Sequence, residues 1–287
     1  NGDTRGALIM PLVAGKILGL TEDQMESAVG IAGSCHAVFG ILDTPAEEYT
    51  MTKNIRFPMM SYAGIMAAML AGKGFTGPAG MIEGHDGFVY SIMDGEYDLD
   101  PLLNFKGKFA IRETCIKSII ADFSSHGHLT ATLTLAREHD IKPDQVAEIR
   151  ITTSKRCAEH TGDPVKKYPK NKETADHSSY YLTAIAIVDR QIGPNQFTQE
   201  KYNDPRVLDL IGKVVLQGDP SLDKARPAGI SEIVMKDGKT HRLRVDYPRG
   251  HARNPMTDQE VIEKFRDMAA VYTVSYTHLT LPTNREV

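Results

Sequence analysis

Two short runs of this chain bring cations and proton-transfer groups together. Lys53 and Arg56 lie three residues apart in Thr52-Lys53-Asn54-Ile55-Arg56-Phe57-Pro58, just ahead of the small-residue run SYAGIMAAML at 61–70. A helix N-terminus favours anions, so two cations added there make a carboxylate cradle. Taken alone, the pair reads as a solvated basic turn. The second run is Lys117-Ser118-Ile119-Ile120-Ala121-Asp122-Phe123-Ser124-Ser125-His126. It offers a cation, a carboxylate and an imidazole within ten residues. Asp122 and His126 are four apart, so on a helix they would share a face. Taken alone, the three groups are a weak signal of a site.

Other polar groups read more blandly. Glu83, His85 and Asp86 are acid or base types, but glycines and a proline around them mark a loop. Arg249, His251 and Arg253 could hold an anion, or belong to a turn-rich linker. His126-Gly127-His128 has too few ligands around it for a metal and reads as polar residues near a helix start. Cys35, Cys115 and Cys157 have no CxxC spacing. They argue against a disulfide framework and suit a reducing cytoplasm. The sequence has no GxGxxG after a strand, no P-loop, no GxSxG and no HExxH. The expectation is therefore no metal and no cofactor.

These groups need elements to position them. Residues 1 to about 105 are rich in Ala, Gly, Met, Leu and Ile. They predict helices packed on helices: Gly6 to Leu18 closed by Gly19, then a helix toward His36 opened by the capping box Thr21-Glu22-Asp23-Gln24, then SYAGIMAAML. From about 106 to 255 the pattern is α+β. Leu129–His139 predicts a helix and Ala147–Thr153 an alternating strand. Tyr180–Asp189 predicts a helix with Ala184, Ile185 and Val188 on one face. Asp237-Gly238 predicts the turn of an antiparallel hairpin. Asp258–Ala270 predicts a last helix. Residues 274–287 match no earlier pattern and read as a non-native tail.

Bulk composition narrows the partners. The chain has 287 residues and a formal net charge of −4, which argues against nucleic acid. No run approaches the ~20 apolar residues of a membrane span. A small anion remains compatible, because local cations decide that.

Taken in order, several of these segments resemble the MmgE/PrpD family. They are Lys53 before the helix of Gly64, Ala67 and Ala68; GFTGP at 74–78 with IEGHDGF at 82–88; His177-Ser178-Ser179-Tyr180-Tyr181-Leu182; and Asp237-Gly238, YPRGHARNPM at 247–256 and Lys264-Phe265. The likeness spans residues 1 to about 270. It implies an all-helical domain, here incomplete (1–106), a smaller α+β lid (107–255), and a helix returning to the first domain (256–273). The helices that precede this part in the family, with an acidic residue and a histidine of the site, have no counterpart in the sequence.

By the same resemblance, Lys53 matches an active-site lysine and Lys117 a lysine at the start of the lid. Asp122 stands where decarboxylases of the family carry a histidine and methylcitrate dehydratases an acidic residue. Arg56 replaces a residue that is often histidine. The resemblance implies a cytoplasmic, cofactor-independent homodimer acting on a di- or tricarboxylate. The leading activity is the hydro-lyase step of propionate catabolism, 2-methylcitrate to 2-methyl-cis-aconitate. Lys53, Lys117 and Arg56 would hold carboxylates, and Asp122 or His126 would act as acid or base. Epimerisation or isomerisation, decarboxylation of cis-aconitate, and an inactive fragment acting as an interaction module are the alternatives.

Overall fold

A computed structural model describes residues 2–36, 44–93, 97–98, 100, 104–107, 109–224 and 227–270. The tail at 274–287 lies outside them. The chain divides into two compact units, Asn1–Gly107 and Lys108–Val287.

The first unit is helical. Its described α-helices are α1 (Gly2–Leu18), α2 (Glu22–His36), α3 (Arg56–Gly72) and α4 (Phe88–Met93). The capping box forms as expected. Thr21 N–H donates to Gln24 Oε1 at 3.0 Å, and Gln24 N–H to Thr21 Oγ1 at 3.3 Å. Small side chains then let the helices approach. A Cβ on Gly64 of α3 would stand 2.5 Å from Met10 Cβ of α1. The resulting core is mostly alanine: Ala14, Ala28, Ala32, Ala67, Ala68 and Ala71, with Ile31. The GFTGP run closes on α2, because Gly77 passes against the Ser27 carbonyl and Pro78 against Gly30.

The second unit carries a mixed sheet of strand order β2-β1-β3-β4. The strands are β1 (Val146–Ser154), β2 (Val214–Asp219), β3 (Gly229–Met235) and β4 (Thr240–Val245). β1 runs parallel to β2 and antiparallel to β3, and β3 pairs antiparallel with β4 through the expected turn. Gly238 takes φ +87° there, a region that favours glycine. A register shift between Val146 and Glu148 lets both Val146 and Ile149 face inward.

The helices of this unit are α5 (His126–Glu138), α6 (Lys155–Thr161), α7 (Lys172–Ala175), α8 (Ser179–Val188), α9 (Gln199–Tyr202), α10 (Pro205–Lys213) and α11 (Asp258–Ala270). The parallel connection from β1 to β2 passes through α6 to α10, as parallel strands require a crossover. Ser179 and Tyr181 to Ile187 are all buried, so α8 is enclosed on all sides rather than along one face. A helix apolar all round belongs inside a core. It packs with Leu129, Leu133, Ile149, Ile151, Leu210 and Ile233.

No helix among the described residues is long and apolar enough to cross a membrane.

Candidate functional site

Asp122 does not lie on α5. It precedes a single 3-10 turn, Phe123–Ser125, as its N-cap. One carboxylate oxygen accepts from Ser124 N–H at 2.9 Å and also from the Ser124 hydroxyl. Asp122 N–H donates to the Asp176 carbonyl at 2.9 Å, tying this turn to the start of α8. The shared helix face expected for Asp122 and His126 is therefore absent, because the α-helix begins only at His126. Asp122 faces His177 instead, with Oδ2 3.8 Å from Nε2.

His177 is held from behind. Its Nδ1 bonds Asp176 Oδ1, and Asp176 Oδ2 accepts from Lys172 Nζ at 3.0 Å. A carboxylate at Nδ1 fixes the N–H there and turns the basic nitrogen, Nε2, toward Asp122. His160, on α6, meets the His177 ring edge-on at 5.6 Å. Burial pushes the Asp122 carboxyl up, but the Ser124 hydroxyl, His177, His160 and the Ser124 amide together leave it below the usual carboxylate range. Asp122 is thus an anion beside two imidazoles.

His126 is fully buried. Neither of its ring nitrogens has a hydrogen-bond partner of normal geometry. Burial, then Lys117, pull it down to about 4, so it is neutral at pH 7. His128 is buried too, and burial brings it to about 3; its Nε2 lies 3.1 Å from Ser179 Oγ. Both imidazoles enter the core because α5 starts tight against β3. A Cβ on Gly127 would stand 2.1 Å from the Pro227 carbonyl oxygen, and one on Gly229 2.5 Å from His128 N. His126 and His128 are 0% exposed, and His177, at 9%, faces Asp122.

The charges of two lysines, Lys117 and Lys264, bear on His126. Lys117 is exposed, and its carbonyl accepts from Lys264 Nζ of α11. Burial and then Lys117 lower the Lys264 ammonium. The 247–254 loop sets this arrangement. Ile116 N–H donates to the Gly250 carbonyl at 2.9 Å, and a Cβ on Gly250 would stand 1.8 Å from the Ile116 oxygen. Arg249 ties the loop to α11, and Arg253 serves the loop itself. Arg249 pairs with Glu260, and Arg253 donates to Tyr247 Oη at 2.6 Å. His251 Nδ1 accepts from Arg253 N–H at 3.0 Å.

In the first unit, Arg56 opens α3 and Lys53 lies in the 3-10 turn Met51–Asn54. Both are half-buried, and Lys53 Nζ lies 5.4 Å from the Tyr49 ring centre. His85 and Asp86 form a surface pair, 91% and 99% exposed, as a loop requires. They line a cavity of about 580 Å³ together with Leu8, Gly33, Met81 and Phe88.

Sequence reasoning gave no role to His177, His160, Asp176, Lys172 or Lys264. A usable signal was the acid–histidine pair Asp176-His177 directly before the helix cap Ser178.

The second unit thus presents a carboxylate–imidazole cluster, Asp122 with His177 and His160, in an α+β frame. The chain matches the MmgE/PrpD N-terminal domain over residues 4–100 and the MmgE/PrpD C-terminal domain over 121–277. It belongs to the MmgE/PrpD family. Among curated relatives, a cis-aconitate decarboxylase from Aspergillus terreus is 26% identical over 292 residues, covering 95% of this chain and 58% of the relative. The Mus musculus cis-aconitate decarboxylase is 27% identical over 274 residues (92% and 54%), and the Homo sapiens one 26% over 272 (92% and 55%). The chain spans a little over half the length of these relatives.

Proposed function

We propose that this chain carries the acid–base half of a lyase acting on a di- or tricarboxylate, with dehydration of 2-methylcitrate to 2-methyl-cis-aconitate as the reaction. The observation that carries the reading is the Asp122–His177 pair, with Oδ2 3.8 Å from Nε2 and Asp176 on the other ring nitrogen. Burial and then the charge of Lys117 lower the Lys264 ammonium, and a bound carboxylate would offset both. Removing a proton next to a carboxylate builds negative charge, which placed cations stabilise where it develops.

In this scheme His177 Nε2 exchanges a proton with the substrate, and Asp176 keeps the ring in register. Asp122 stabilises the imidazolium as it forms. Hydroxide leaves with a proton, giving water and the alkene. Lys53 and Arg56 enter as further carboxylate contacts on the strength of motif register alone. An acidic residue at Asp122, where the resemblance gives decarboxylases a histidine, favours dehydration. The names of the relatives favour a second reading, decarboxylation of cis-aconitate.

Proton NMR in D₂O separates the two. It would be run on this chain and on the longest natural reading frame containing it, with 2-methylcitrate, citrate and cis-aconitate offered together. A new methyl-alkene signal from 2-methylcitrate is the expected result. Itaconate signals would replace dehydration by decarboxylation. Solvent deuterium entering substrate without a new product, or no change at all, would sink both. In an active protein, Lys264→Gln should raise KM more than it lowers kcat. Losing a charge-assisted contact costs roughly 1.5–3 kcal/mol, over tenfold in kcat/KM.

A further inference from the structure

We infer that Asp122, His160 and His177 form a site for one divalent metal ion of the zinc class. One ligand atom from each of the three lies within 4.8 Å of the other two. Two imidazoles and one carboxylate are the donor set that zinc and its neighbours favour over magnesium or calcium. Three protein ligands leave a fourth position for water or a substrate oxygen. Ligands about 2.0–2.2 Å from a tetrahedral ion stand roughly 3.4 Å apart. The 3.8 Å between Asp122 Oδ2 and His177 Nε2 is long for a hydrogen bond and near that span.

The surroundings strengthen the assignment. Metal-binding histidines characteristically donate their other ring N–H to a carboxylate. His177 does so to Asp176, which is anchored in turn by Lys172. Ser124 holds Asp122 Oδ1, which leaves Oδ2 turned toward His177. His160 comes from a different element, α6, and the buried contact of Thr161 with Ser179 fixes the end of that helix against α8. The three donors thus converge from three segments on supports made before any ion arrives.

The inference goes beyond the lyase reading. An ion here would occupy the carboxylate and imidazole which that reading uses for proton transfer, so it would inhibit the reaction. Binding itself is independent of whether the reaction occurs.

The test is a titration of the chelator-treated whole chain with Co²⁺, followed by visible absorption, and with Zn²⁺, followed by calorimetry. One equivalent should bind, with intense tetrahedral d–d absorption for Co²⁺. His160→Ala and Asp122→Asn should abolish that absorption while far-ultraviolet circular dichroism stays unchanged. Asp176→Asn should weaken binding about 10–100-fold. His241→Ala serves as the control, because His139 and His241 form a separate stacked pair 4.0 Å apart. The inference fails if no equivalent binds, if His160→Ala binds as well as the parent, if His241→Ala removes the signal, or if thiolate charge-transfer bands show that a cysteine holds the ion. Should Asp122→Asn not fold, the half-buried His160 still decides the matter.

Discussion

The two units solve the packing problem with different materials. The first brings helices together on alanine and glycine, and large apolar side chains such as Ile17, Met59, Tyr62 and Met69 stay exposed. The second encloses Tyr181, Leu182, Ile185, Leu210 and Ile233 almost completely. It also buries a polar network, in which Ser179 contacts Thr161, Ser125 and His128. Small-residue packing gives close helix approach with little apolar area removed from water. Large-residue packing gives stability enough to hold histidines in the core, where burial costs them their charge. The Asp122–His177 pair sits in the unit with the core of large side chains.

Several measurements would break or sharpen this contrast. Ile185→Ala should cost about 2–5 kcal/mol in chemical denaturation, the range for a large side chain deleted from a core. Ile17→Ala, exposed on α1, should stay within about 0.5 kcal/mol. Equal losses would erase the difference between the cores.

The next effect is acid sensitivity of the second unit. His126 titrates near 4 in the fold and near 6.5 unfolded. The unfolded chain binds the extra proton between those values, so stability is full above 6.5 and falls as pH drops toward about 4. The loss approaches roughly 3 kcal/mol. His126→Leu should flatten that slope in denaturation curves at stepped pH. An unchanged slope would mean His126 is solvated.

Gly250→Ala should cost about 1–3 kcal/mol, since φ is +91° and the new Cβ meets the Ile116 oxygen. In an active protein it should also disturb substrate affinity through the Lys117 segment; a thermal shift and KM read both. The smallest effect is Thr21→Ala. Loss of the cap on α2 should cost about 1 kcal/mol, confined to the first unit, and hydrogen exchange along α2 would detect it.

Where the information was local, the chain read plainly. The helix at Asp258–Ala270, the Asp237-Gly238 turn and the Thr21–Gln24 capping box depend on residues a few positions apart, and all three formed as expected. The start of α5 did not follow the i, i+4 expectation. Asp122 bonds Ser124 locally, and such side-chain-to-backbone bonds compete with helix formation. The enclosure of α8 could not be read from one apolar stripe, because its neighbours come from distant segments.

The sequence by itself determined the elements, the texture change near residue 106, the family resemblance and the presence of Lys117 and Asp122 in one short run. Only the tertiary structure decided which groups meet. Asp122 and His177 are 55 positions apart, and His160 arrives from a third element. Their meeting depends on a buried helix start, an Asp122–Asp176 backbone bond and a glycine contact between α5 and β3. Periodicity reports neighbours three or four residues away. Long-range packing chooses the partners beyond them.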